Sequence, residues 1–288
     1  MILREQQERG YKAQTHDSAK AQEDSVHYFI VDSIGMRRLH LFEFGDQPWF
    51  PRLLRDVETA YLATAYRFIG LSRLWAEKIL AVLAAGEPAE FLDLCSGSGG
   101  PMPLILDELA ARGYKAHATL TDLYPNPKSA PHPRVTWLKE PVDATQVAPN
   151  LAGVRTMFSA FHHFRPLRAK AILADAFNKR RAICIFESGL GSLRAAFVTL
   201  LIPVNVLLLM PFARPFRWSY FAFTYLIPIM PLIIFSDGIV SALRIYSPEQ
   251  MQELTKDLQA ADYAWEIGRI RARGIPDGLP YLIGMPSR

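Results

Sequence analysis

The sequence predicts an α/β fold, a three-layer sandwich with a mostly parallel sheet between helices, and three observations carry that prediction. The first is Glu90–Gly100, Glu-Phe-Leu-Asp-Leu-Cys-Ser-Gly-Ser-Gly-Gly, an apolar run followed by a turn almost stripped of side-chain bulk. A helix-like run, Pro101 to Ala111, follows at once. Strand, glycine turn and helix in that order build a ligand site at a strand's carboxyl end. The second is alternation: strand 90–95, helix 102–112, strands 116–121, 134–139 and 154–159, helix 166–178, strand 182–187. Such alternation implies a parallel sheet. The third is the end of the chain, where strand-like segments 263–272 and 279–285 flank a turn at Gly274-Ile-Pro-Asp-Gly278.

The elements follow in order. Residues 1–25 are polar and read as loose or weakly helical, and two apolar runs from Val26 to Phe44 bracket Gly35-Met36-Arg37-Arg38 as a hairpin or arm. Gly45–Pro51 is a turn carrying two exposed-looking aromatics, Trp49 and Phe50, that either pack or cover a pocket. A helix over 52–69 places Leu54, Val57, Tyr61, Ala65 and Phe68 on one face. Ser72 is the expected cap of a second helix, stopped by Gly86 and Pro88. Ser247-Pro-Glu-Gln250 forms a capping box for a helix running to about Ala261. The domains are therefore 1–88, a helical extension covering the site; 89–190, the ligand-binding core; 191–240, an apolar insertion; and 241–288, which completes the core.

Composition narrows the function. A chain of 288 residues, 50% hydrophobic, has ample material for one large core. The formal net charge of +4 is mildly basic, and the Lys and Arg residues are scattered, so a nucleic-acid surface is not indicated. Cys95 and Cys184 lie in apolar strand-like runs, which argues against a disulfide framework and for a reducing, cytoplasmic setting. The polar N-terminal segment does not resemble a secretory signal.

With these elements placed, the chain resembles a class I S-adenosylmethionine (SAM)-dependent methyltransferase over 90–190 and 247–286. Asp93-Leu-Cys-Ser-Gly-Ser-Gly99 is similar to that family's acidic, glycine-rich loop, with Cys95 standing where the first glycine is usual. The resemblance implies a seven-stranded sheet whose last strand is antiparallel, with SAM as cofactor. It implies that Asp93 and the loop (Cys95, Ser96, Gly97, Ser98, Gly99) hold the methionine portion. Asp122 would accept the ribose hydroxyls, Leu123 or Tyr124 would flank the adenine, and Asp143-Ala144 would lie near its amino group. Ser159-Ala-Phe-His-His-Phe164 resembles the loop beside the reactive methyl. A dinucleotide-binding Rossmann protein is the weaker match, because its third glycine would fall on Met102.

His162 and His163 are the candidate general bases, since histidine titrates near neutrality. Glu187, closing the fifth strand on the same sheet edge, is a third catalytic candidate. Asp237, Arg244 and Tyr246 either return polar groups to the pocket mouth or pair among themselves. No metal site is expected, on the ground that adjacent His162 and His163 side chains diverge.

Residues 195–213 and 218–236 carry no charge, with Arg214 and Arg217 between them. Each run approaches membrane-spanning length, yet Pro203, Pro211, Pro228 and Pro231 interrupt them. A domain using cytosolic SAM would also put both arginines outside, against the positive-inside tendency. An interfacial or re-entrant hairpin, an appendage separable from the core, fits better; a soluble lid or dimer interface with a buried apolar core is the alternative. The expectation is a methyltransferase for a small hydrophobic or lipid-like acceptor, cytoplasmic and touching the membrane's inner face through 195–236. A non-catalytic interaction or sensor protein of the same fold is the alternative. The oligomeric state is left open.

Overall fold

The computed structural model describes residues 41–47, 49–97, 99–125, 132–189, 199–272 and 275–287. The expected loose segment at 1–25, the hairpin or arm up to residue 40, and Ser98 lie outside these. The strands are β1 (Glu90–Asp93), β2 (His117–Leu120), β3 (Val135–Trp137), β4 (Val154–Phe158), β5 (Ile183–Phe186), β6 (Tyr263–Ala272) and β7 (Ile275–Pro286). They form one sheet in the order β3-β2-β1-β4-β5-β7-β6. β7 alone runs antiparallel, against both β5 and β6. The chain order reverses direction across the sheet at β1 and β4, which pair in parallel. In an open α/β sheet that crevice is where a ligand binds.

β4 and β5 are buried along their whole length, as central strands covered on both faces must be. Alternation divides their side chains. Phe158 and Phe186 pack with Trp75 and Ile79 of α2 (Leu71–Ala84) and Leu106 of α3 (Met102–Ala110). Met157 and Ile185 face Leu173 of α4 (Pro166–Asn178) and Leu254 of α8 (Pro248–Thr255). Arg155, the one charge inside β4, is buried but bonded to Asp175 of α4, Nη1 to Oδ2 2.8 Å. The capping box of α8 is present, with Gln250 N donating to Ser247 Oγ and Ser247 N to Gln250 Oε1.

α1 (Arg52–Ile69) has a different buried stripe from the expected one. Phe68 is 54% exposed, while Thr64 and Tyr66 are buried beside Val57, Tyr61 and Ala65. Ser72 is not a cap: Gly70, in the left-handed region at φ 75°, reverses the chain between α1 and α2 and leaves Ser72 buried in the first turn. Phe50 is buried against α1 and the insertion, and only Trp49 of the expected aromatic pair stays exposed. β7 begins at Ile275 and not 279, because Ala272 pairs with Ile275 after a register shift.

The insertion contains α5 (Ile202–Leu209), a 3₁₀ turn (Met210–Phe212), α6 (Trp218–Phe221) with a π turn (Ala222–Leu226), and α7 (Ile229–Arg244). Its prolines occupy helix starts and breaks, where a missing N–H is tolerated. Among the described residues no single helix is long and apolar enough to cross a membrane; Trp218–Leu226 and Ile229–Arg244 pass that test only together, bent by 85°. The insertion shares a core with α1 and the turn before it. Val206, Met210, Tyr220, Met230, Ile233 and Ile234 form a third core with Phe50, Val57, Tyr61 and Ala65.

Candidate functional site

Residues 94–100 turn the chain from β1 into α3 across the carboxyl edge of the sheet. Ser96 N donates to Thr121 O at 2.9 Å and Leu94 N to Thr156 O at 2.8 Å, so the loop is tied to both neighbouring strands. Asp93 lies beneath it. Its Oδ1 accepts from Thr156 Oγ1 and its Oδ2 from Ser96 Oγ, each at 2.7 Å. At 2% exposure it braces the loop from within. Burial pushes this carboxyl up to about 7, against the lowering effect of those two hydroxyls.

Cys95 adopts φ 57°, a left-handed conformation that costs a residue with a Cβ roughly 1–2 kcal/mol. Glycine's usual presence at this position in the resembled family thus has a steric reason. Burial and the nearby Asp122 and Asp93 charges push the Cys95 thiol up, which keeps it protonated. Gly99 has φ 112°, and a Cβ there would meet the Trp137 ring at 3.3 Å. A Cβ on Gly97 would meet nothing within 4 Å, so open space lies over the turn.

Asp122 faces that space from the end of β2. Oδ2 accepts from Gly97 N at 2.9 Å and Oδ1 from Tyr124 N at 2.8 Å. Each oxygen retains capacity for a second hydrogen bond, which suits a vicinal diol. Leu123 and Tyr124 are exposed beside it, Tyr124 at 73%. Asp143 Oδ1 accepts from Thr145 N and Oγ1 at 2.8 and 2.7 Å, and Arg168 Nη2 lies 3.3 Å from Oδ2. Ala144 is buried.

At the ends of β4 and β5, Ser159 is also left-handed, φ 49°, and its Oγ is 2.7 Å from Ser188 Oγ. The buried Tyr66 hydroxyl reaches Ser188 Oγ at 3.4 Å. A 3₁₀ turn, Phe161–His163, then presents both histidines. Glu187, fully buried, accepts from His162 N at 2.9 Å on one oxygen and lies 2.7 Å from His162 Nδ1 on the other. Nδ1 thus faces the carboxylate, and Nε2 is the ring nitrogen on the side away from it.

The two imidazoles do not diverge. Their centroids are 4.1 Å apart, with the ring planes tilted by 34°. His163 Nδ1 is 2.8 Å from Asp46 Oδ1. Arg244 of α7 bridges Asp46 Oδ2 at 2.5 Å and Glu43 Oε1 at 3.1 Å, and also donates to Leu41 O. Asp237, about two turns back on the same face of α7, accepts from Phe44 N and Gly45 N, both at 2.9 Å. Tyr246 instead donates to Phe164 O at 2.7 Å. The polar residues of α7 therefore bind the 41–47 segment. Glu43, Asp46 and Tyr66 gave no sign in the sequence of belonging here; nothing local in Glu-Phe-Gly-Asp marks a partner almost two hundred residues away.

Electrostatics divides this cluster. Burial pushes Glu43 up to about 7 in spite of His163 and Arg244. Burial and the charges of Asp237 and Glu43 push Glu58 of α1 up to about 8. Burial opposes ionisation of Asp46 too, but bonding to His163 and Arg244 outweighs it and holds that carboxyl well below its ordinary range. Glu43, His162 and His163 place donor atoms within 4.8 Å of one another, as a metal site would. The Arg244 guanidinium, also 3.4 Å from His163 Nδ1, already supplies a cation to this group.

The sheet order, the antiparallel β7, the glycine turn after β1 and the carboxylate ending β2 together define the class I SAM-dependent methyltransferase fold. No family model matches the chain, and no curated protein matches it in sequence. Among solved structures it is similar to the plantazolicin methyltransferase BpumL in complex with SAH, at 11% identity and TM-score 0.51, over 85% of this chain and 93% of that one. It also matches the methyltransferase domain of bacterial CtHen1 (12% identity, TM-score 0.43, 76% of this chain, 100% of that one). Human N-acetylserotonin methyltransferase in complex with SAM matches at 12% identity and TM-score 0.40, over 77% of this chain and 58% of that one.

Proposed function

We propose that the chain is a SAM-dependent methyltransferase acting on a small hydrophobic or lipid-like acceptor. The observation that carries this is the open turn at Gly97, with the Asp122 carboxylate at its edge on this particular fold. The backbone of 95–99 would hold the methionine portion, with Asp93 bracing it from below. Asp122 would accept the ribose hydroxyls, Leu123 and Tyr124 would flank the adenine, and Asp143-Ala144 would border its amino edge. Bound there, SAM supplies an electrophilic methyl group.

The chain's own contribution is positioning and a proton acceptor. β4 pairs directly with β1, so Ser159 and His162 follow the strand next to the glycine loop. With Nδ1–H held by Glu187, His162 Nε2 is the base for a hydroxyl or carbon acid. His163 is engaged by Asp46 and Glu43, and its role is to hold the 41–47 segment and α7 over this edge. The two charge-free runs of the insertion joined to that segment support a hydrophobic acceptor, and in this reading the chain works in the cytoplasm at the membrane's inner face.

The test is calorimetric titration of the folded chain with SAM and with its demethylated product, SAH. Micromolar binding of both, followed by a mass gain of one methyl on a hydrophobic acceptor, is the expected result. A folded chain that binds neither would favour a non-catalytic role for the fold.

A further inference from the structure

We propose that the outer face of the insertion is a docking surface that seats the chain on one leaflet of an anionic phospholipid bilayer. This inference stands apart from the cofactor assignment. Between Glu187 and Asp237 the sequence has no carboxylate; of its arginines, Arg214 and Arg217 lie exposed in the described link, Arg217 also paired with Asp56 of α1, Nη1 to Oδ2 3.2 Å. A face with that balance complements anionic headgroups.

The exposed side chains are arranged as a face. Leu201, Val204 and Leu208 recur at helical spacing on the outside of α5, while Val206 and Met210 point into the third core. Trp218, at 77%, Leu226, at 71%, and Leu232, at 66%, extend the apolar surface over α6, the π turn and α7. α1 continues it: Phe68 is exposed and contacts Phe212 at 5.3 Å, and Arg67 Nη2 donates to Phe212 O at 2.9 Å. Soluble monomers rarely expose large apolar patches unless they are used.

The depth of contact follows from α7. Its first half is apolar, but Asp237 and Arg244 in its second half are buried in the ion-pair cluster with Glu43 and Asp46. Those residues hold that end against the sheet domain. The 85° bend before Ile229 sets the two helices of the pair nearly at right angles, which suits an element lying within one leaflet. Arg214 and Arg217 sit in the link between the charge-free runs and Trp218 opens the second run, and Trp and Arg are the residue types that settle at headgroup level. The geometry is that of a monotopic, one-leaflet contact.

The experiment is flotation of the purified full chain with phosphatidylcholine vesicles, with and without phosphatidylglycerol. Binding is expected, stronger on the anionic vesicles and weakened by salt, with a blue shift in tryptophan emission. The triple variant Leu208→Ser, Trp218→Ser, Leu232→Ser should lose binding at least about tenfold while keeping the parent's thermal unfolding midpoint. Arg214→Gln with Arg217→Gln should remove the preference for anionic vesicles and leave residual binding. Absence of flotation, or a triple variant that floats like the parent, overturns the proposal. So does a concentration-dependent dimer that the triple variant abolishes, which would assign the face to a second copy. If the triple variant is destabilised, the arginine pair and the emission shift still decide.

Discussion

Cys95 occupies a backbone conformation that glycine adopts without steric cost, at φ 57°. Cys95→Gly relieves roughly 1–2 kcal/mol of left-handed strain, offset by the flexibility glycine adds to the unfolded chain and by the loss of thiol packing against the second core. Unfolding stability should therefore change by less than about 1 kcal/mol, with SAM affinity retained. Cys95→Val should destabilise the chain in thermal melts, since a β-branched residue is poorly tolerated there. Asp122→Ala should weaken SAM binding at least tenfold, on the order of 1.4 kcal/mol; unchanged affinity in calorimetry would remove the ribose assignment. His162→Gln should lower kcat by roughly 10²–10⁴ and leave SAM affinity intact. Equal loss of SAM binding would show that the 3₁₀ turn supports the cofactor and not the proton transfer.

Among the elements, the insertion departs furthest from its sequence reading. Charge-free runs with prolines look like an appendage, but Met230 is fully buried against α1. Met230→Ala is expected to destabilise the chain by about 2–5 kcal/mol in denaturant unfolding; a change under about 0.5 kcal/mol would mean the insertion does not share the core. The strand, turn and helix at 90–111 were legible because their determinants are contiguous: Gly99, Met102 at the helix start, and the apolar run before Asp93. Asp122 was legible because it ends a strand next to that turn. The ion-pair cluster was not, because Arg244 and Asp46 are 198 residues apart, and only the packing of α7 across α1 joins them. The convergence of His162 and His163 was missed for a related reason: a 3₁₀ turn in Phe-His-His has no strong local signature.

At the scale of the whole molecule, buried acids set how stability responds to pH. Glu43 and Asp93 are pushed up to about 7 and Glu58 to about 8, from ordinary values of 4.5, 3.8 and 4.5. Burial pushes Asp237 upward as well. Each such group keeps in the folded state a proton that the unfolded chain has already released. Its contribution is complete below the unfolded pKa and is lost as pH rises through the folded one, at most about 1.4 kcal/mol per pH unit and group. Asp46 has the opposite sign, because His163 and Arg244 hold it ionised, and its contribution is lost as pH falls below its ordinary value of 3.8. Stability should therefore peak in mildly acid solution and decline from about pH 5 to 8.5, measurable as a falling thermal midpoint. Glu58→Gln isolates one part of that decline. The variant cannot ionise, so it should melt with the parent near pH 5 and above it near pH 8.5, the gap widening with pH. A parent whose midpoint stays level across this range, or a gap that does not change with pH, would show that these carboxyls remain hydrated and that Arg244 neutralises the cluster fully.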